Sequence, residues 1–252
     1  FIASGNQAAV AATGQAPAGP NPGIMGRTYK AIVQDMADYY FNCQSDGAGG
    51  GSWDYSCNAG QDNSVAQWAA IGLLPSEREF GVPSPAVVKS WNLTWLTASQ
   101  NAAGEFGYRS NSPLWGPYAT TPSGMVQLAY NGVGRGNALW TKSETVMRDG
   151  FDSGSGSSYT DPKAYYYGLF SFTKSMLLHD SNADKVAEPI TLLQSTTPGK
   201  TPIDWYAAEV ALGAPTNGVA RTLVNGQNAA GYWTGHNNIT SEQWPFETSW
   251  AV

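Results

Sequence analysis

Five residues combine acid–base chemistry with a suggestive place along the chain. Asp62, Asp161, Asp204 and Glu247 each lie near the opening of a helical run, and His236 follows an aromatic turn. Glycoside hydrolysis needs two carboxyls roughly 5 to 10 Å apart, and a histidine beside them moves a proton near neutral pH. Asp62, Asp204, Glu247 and His236 are therefore the candidate catalytic residues. Simpler roles stand next to that one. Asp62 and Asp161 fit helix N-caps, where a carboxylate accepts free backbone N–H groups and faces the positive end of the helix dipole. His236 fits a loop surface. His179 ends a helical run and reads as compensation for the negative end. The acidic cluster Asp180-Ser181-Asn182-Ala183-Asp184 reads as a surface loop between helices.

Trp53, Trp115 and Trp233 are the candidate binding residues, because an exposed aromatic plane can stack on a sugar ring. Trp53 and Trp233 lie in aromatic turns, where a buried anchoring role is the simpler one. Cys43 and Cys57 flank the Gly-rich stretch 46–51. A disulfide there restrains a high-entropy loop by about 3 kcal/mol and implies an oxidising compartment; the alternative is two reduced thiols. Asn92-Leu93-Thr94 and Asn238-Ile239-Thr240 fit the glycosylation sequon. No metal site and no cofactor is expected.

The elements that must position these residues are helices. Apolar residues recur at i, i+3, i+4 from Thr28 to Phe41, with Tyr29, Ile32, Val33, Met36 and Tyr39 on the stripe. Asp62-Asn63-Ser64 caps a run that Pro75 is expected to stop. Pro85 opens a helix to Gln100, Thr120-Thr121-Pro122 opens one stopped by Gly132, and Asn137 to Met147 follows. Asp161-Pro162 leads into Tyr165 to Leu177. Further helices are expected over Ala183–Gln194, Pro202–Leu212 and Val219–Asn228, with a last start at Pro245. No convincing strand is visible.

One phrase occurs twice. Gln100-Asn101-Ala102-Ala103-Gly104-Glu105-Phe106 returns as Gln227-Asn228-Ala229-Ala230-Gly231-Tyr232-Trp233. Each copy closes a helical run and opens an aromatic turn, the mark of a repeat architecture. Gly- and aromatic-rich connectors alternate with short Pro- or Gly-broken ones, so the unit is a helical hairpin. The stretch 153–158 is a flexible internal loop.

These turns, with Gly50-Gly51-Ser52-Trp53 and the run Asp62 to Leu73, resemble the repeats of the prenyltransferase and squalene/oxidosqualene cyclase superfamily. The resemblance covers most of the chain and implies an all-α fold: a single domain over residues 1–252, built as an α/α toroid of about five to six helical hairpins. In that family the Gln-x-x-x-Gly-x-Trp turn joins an outer helix to an inner one. The glycine takes a positive φ, the aromatic packs under the next repeat, and the glutamine binds a backbone group at a neighbouring helix end. The resemblance puts Asp62, Thr120, Thr121, Asp161, Asp204 and Glu247 around one mouth of the ring, where acids could converge. The family's catalytic equipment is missing. No Asp-x-Asp-Asp proton donor and no Asp-Asp-x-x-Asp magnesium motif occurs. Asp54, Cys57 and His236 or His179 lack the zinc spacing of the protein prenyltransferases. The Gly-Cys-Gly-Glu-Gln thioester segment is absent.

The chain has 252 residues, enough for a sizeable core. It carries a net charge of −6 with 13 Lys and Arg and no basic stripe, so nucleic acid is not an expected partner. No apolar run reaches the roughly 18 to 20 residues of a membrane span. A surface of Gly, Ser, Thr, Asn and aromatics suits a secreted, periplasmic or cell-surface protein. Both ends read as interrupted helix, as in a processed chain or part of a longer one. Closing the ring then needs further sequence or a neighbouring subunit, and self-association through the chain ends is expected. The expected function is a secreted or surface-displayed repeat domain that binds, with carbohydrate as the candidate ligand, or assembles. The alternative is an enzyme acting on polysaccharide or isoprenoid through an acidic site at the toroid mouth.

Overall fold

The computed structural model describes residues 1–12, 23–47, 49–151, 165–206 and 218–234. Among them the secondary structure is helical: α1 (Tyr29–Cys43), α2 (Asn63–Phe80), α3 (Ala86–Ser99), α4 (Pro117–Tyr130), α5 (Ala138–Phe151), α6 (Tyr166–Leu178) and α7 (Val219–Gly226). A short 3-10 turn covers Ile2–Ser4, and β1 (Leu192–Leu193) pairs antiparallel with β2 (Ile203–Asp204). Asp161, His236, Glu247, the 153–158 connector, the helix start at Pro245 and the Asn238 sequon lie outside the described residues.

The expected all-α class holds, with boundary corrections that have physical causes. Pro75 does not stop α2, which continues to Phe80. An internal proline costs about 3 kcal/mol, and burial of Leu73, Leu74 and Phe80 offsets it. The Ser76 hydroxyl donates to Gly72 O at 2.7 Å in the same turn. The fourth helix starts at Pro117, not at Thr120, so Pro117 takes the first-turn position and Pro122 falls inside. The helix expected over 183–194 does not form. Asp180 holds that segment in a turn, accepting from Ala183 N at 2.7 Å, Asn182 N at 3.1 Å and Lys185 N at 3.1 Å. Such side-chain bonds compete with helix. Asp180 is buried and paired with Arg78 at 3.3 Å, so this cluster is not simply a surface loop. The helix expected from Pro202 opens instead as β2. Trp205 seals it, with its N–H to Thr191 O at 3.1 Å and its indole to Ile190 O at 2.7 Å.

The core is organised by α4, whose residues Tyr118 to Tyr130 are all buried. A helix buried all round is a core helix, and α4 touches α2, α3, α5 and α6. Met125 and Leu128 join one apolar cluster with Phe106, Trp140 and Phe172. Val126 and Tyr130 join a second with Val33, Leu73 and Phe80.

The repeated phrase builds the same turn twice. Gln100 N donates to Leu96 O, Asn101 N to Glu105 O and Gly104 N to Asn101 O; Gln227, Asn228 and Gly231 repeat each bond with Leu223, Tyr232 and Asn228. Gly104 and Gly231 take φ of 98° and 87°. The Gln100 side chain reaches the first turn of α5, donating to Leu139 O at 2.8 Å. A third copy is disguised by a longer loop: Gln44, at the end of α1, donates to Val88 O in the first turn of α3 at 2.8 Å. Trp53 donates its indole N–H to Tyr40 O, and Trp233 donates to Leu223 O, both at 2.7 Å. Each acceptor lies four residues before the turn's glutamine.

That longer loop is the one the disulfide closes. Cys43 and Cys57 are bonded, with Cα atoms 4.3 Å apart. Reduction is expected to lower unfolding stability by about 3 kcal/mol, measured as a shift in urea midpoint between oxidised and reduced protein; an unchanged midpoint refutes it. Asn92, the other sequon asparagine, is fully buried and bonds Gly51 O and Gln127 Oε1. In the folded protein it is closed to a glycan.

Candidate functional site

A cleft of about 670 Å³ opens where several elements end together: the last turns of α1, the disulfide loop, the first turns of α2, α4 and α6, and the loop after Phe106. The size falls within the usual range for small-ligand sites. Its walls are aromatic. Tyr39 (62 % exposed) comes from α1, Tyr55 (77 %) from the disulfide loop, Trp68 (41 %) from α2 and Trp115 (48 %) from the loop before α4. Trp115 meets the Tyr108 ring edge to face at 5.0 Å. Trp68 stacks on Phe170 at 5.4 Å. Tyr165 and Tyr167 line the cleft from the start of α6.

The floor is polar and tightly bonded. Asp62 is fully buried. Its Oδ1 accepts from Ser64 N at 2.8 Å, Ser64 Oγ at 2.6 Å and Val65 N at 3.3 Å, so it caps α2 as the sequence suggested. Its Oδ2 faces Arg109 Nη2 at 3.5 Å, and the same nitrogen donates to Asp54 Oδ1 at 2.8 Å. The guanidinium lies 5.5 Å from the Tyr108 ring centre. Burial first, then the neighbouring Asp62 carboxylate, raises the pKa of the Tyr108 phenol. The Tyr167 hydroxyl donates to Ser64 O at 3.2 Å and accepts from Gln67 Nε2 at 2.5 Å; burial, the largest cause, raises its pKa too.

The sequence candidates fall in different places. Trp115 stands in the cleft wall and is about half exposed. Trp53 is 3 % exposed and Trp233 half-buried, both tied to helix carbonyls as turn anchors. Asp62 adjoins the cleft floor. Asp204 lies on exposed β2, where its Oδ1 accepts from Tyr206 N at 3.1 Å, and it is not among the cleft residues. Glu247 and His236 lie outside the described residues. Asp62 commits Oδ1 to the α2 cap, while its buried Oδ2 stands 3.5 Å from Arg109 Nη2 without a hydrogen bond among the described residues.

His179 also departs from expectation. Its Nε2 accepts from Arg135 N at 2.9 Å and its Nδ1 donates to Glu188 O at 2.9 Å. Burial lowers its pKa, and an accepting Nε2 belongs to a neutral ring, which offers no charge to a helix end. Cys57 has given its sulfur to the disulfide and supplies no thiolate. Among the described residues no group of three or more His, Cys, Asp and Glu could hold a metal ion, and no helix is long and apolar enough to cross a membrane.

The residues that sequence reading missed are Tyr39, Tyr55, Trp68 and Tyr108. Tyr39 and Trp68 fall on apolar helical runs, which do not single them out as binding residues. The available signal was their place: Tyr39 is in the last turn of α1 and Trp68 in the second turn of α2, both beside the disulfide loop. No family model, curated protein or solved structure matches this chain.

Proposed function

We propose that this chain is a secreted or surface-displayed α/α-toroid repeat domain whose aromatic cleft binds a carbohydrate chain. The observation that carries the reading is the cleft wall, where Tyr39, Tyr55, Trp68 and Trp115 hold solvent-exposed rings around one open space. Sugar rings present apolar C–H faces and polar rims. Exposed aromatic planes receive the faces, and the hydroxyls of the exposed Tyr39 and Tyr55 at the same cleft can bond the rims. The disulfide supports an oxidising compartment. The repeated glutamine turns support a ring-like stacking of hairpins, as the family resemblance implies.

The test is titration with soluble neutral and charged oligosaccharides, followed by tryptophan fluorescence and calorimetry. Saturable binding is expected, and Trp115→Ala is expected to weaken it about tenfold, the loss of about 1.4 kcal/mol of stacking. A chain that binds none of these sugars, or a W115A variant that binds as tightly as the parent, overturns the reading.

A further inference from the structure

We infer that the carbohydrate selected by the cleft carries free amino groups, as in oligomers of glucosamine, in preference to N-acetylated or uronic sugars. The inference rests on the carbohydrate reading above and adds the ligand's charge to it.

The polar inventory of the cleft points to a cation. Among its described lining residues Asp54 is the one with a full charge, and no lysine, arginine or histidine is among them. The Asp54 side chain is 7 % exposed. Its Oδ1 accepts from Tyr55 N and Arg109 Nη2, both at 2.8 Å, and its Oδ2 accepts no hydrogen bond among the described residues. Arg109 does not reverse the sign. It is shared between Asp54 and the fully buried Asp62, so two carboxylates stand against one guanidinium and the cluster keeps a net negative charge. A sugar carboxylate competing for Arg109 has to displace an existing pair.

The walls add to this. The face of an aromatic ring is the negative part of its quadrupole and attracts a cation within about 6 Å. Tyr39, Tyr55, Trp68 and Trp115 line the same cleft as the one carboxylate. The chain's net charge of −6 steers cations in the same direction. An ammonium on a stacked sugar therefore gains from both the rings and Asp54. An acetamide gains stacking only, and a uronate meets repulsion.

The experiment is calorimetry on the intact chain with tetramers of glucosamine, N-acetylglucosamine and a glucuronate sugar, at a pH where the amine is protonated. The glucosamine tetramer is expected to bind about tenfold more tightly than the N-acetylated one, a difference of about 1.4 kcal/mol, with the glucuronate weakest. The preference should shrink as salt is raised. Asp54→Asn, with its fold checked by circular dichroism, should bring the glucosamine tetramer down to the N-acetylated level. Should that variant misfold, the salt titration on the parent chain still decides. Equal or tighter binding of the N-acetylated or glucuronate tetramer overturns the amino-sugar inference and leaves carbohydrate binding standing. Failure of all three to bind overturns both.

Discussion

Gly51→Ala is expected to destabilise the protein by about 4 kcal/mol, combining backbone strain with overpacking. Gly51 has φ of 119°, and a Cβ there would sit 2.0 Å from Trp91 O in α3. Neither the carbonyl nor the helix carrying it can yield cheaply. Gly104→Ala should cost about 3 kcal/mol for the same two reasons, since its φ is 98° and its Cβ would meet Lys142 C in α5 at 2.6 Å. Gly231→Ala provides the contrast. Its φ is 87°, yet a Cβ there meets nothing within 4 Å among the described atoms, so only the left-handed strain of about 1 kcal/mol applies. Urea unfolding of the three variants reads the order directly. Equal losses at all three would show that close approach of the next helix is not what the glycines serve.

Asn63→Ala is the second large effect, a loss of about 3 kcal/mol and roughly 8 °C in melting temperature. Asn63 is fully buried and uses its whole amide. Its oxygen accepts from the Trp95 indole at 2.8 Å and Gln127 Nε2 at 2.9 Å; its nitrogen donates to Gly107 O at 2.8 Å and Ser99 Oγ at 3.2 Å. Alanine leaves those partners without water to replace it, and an orphaned buried group costs about 1–3 kcal/mol. A double-mutant cycle with Trp95→Phe isolates one bond. Phenylalanine removes the indole donor, so Asn63→Ala should cost less in that background than alone. Strict additivity would show that the Asn63–Trp95 bond contributes nothing.

Legibility in the sequence followed the range of the forces involved. α1, α2 and α3 open on local signals, a threonine, an aspartate cap and a proline, and they begin within one or two residues of the expected places. The turn at Gln100 was readable because its bonds are local and repeat at Gln227. Pro75 and Pro122 misled, because their cost is local while the burial that outweighs it comes from other helices. The segment after His179 misled in the opposite way. Its composition permits helix, but Asp180 is buried against Arg78 from a distant helix and holds the backbone in a turn. The cleft was the least legible part. Tyr39 and Trp68 share periodicity with core residues, and only the meeting of α1, α2 and the disulfide loop decides that their rings face solvent. Gln44 was hidden by the six residues between it and Gly51, where the Gln100 turn has three.

The glutamine contacts also carry a direction in time. Gln44 waits for a carbonyl 44 residues later, and Gln100 for one 39 residues later. A ribosome delivers each glutamine before the helix that completes its turn. Both of these turns therefore emerge with the latch first and the catch last, so the growing chain locks behind itself in steps while its newest segment stays open.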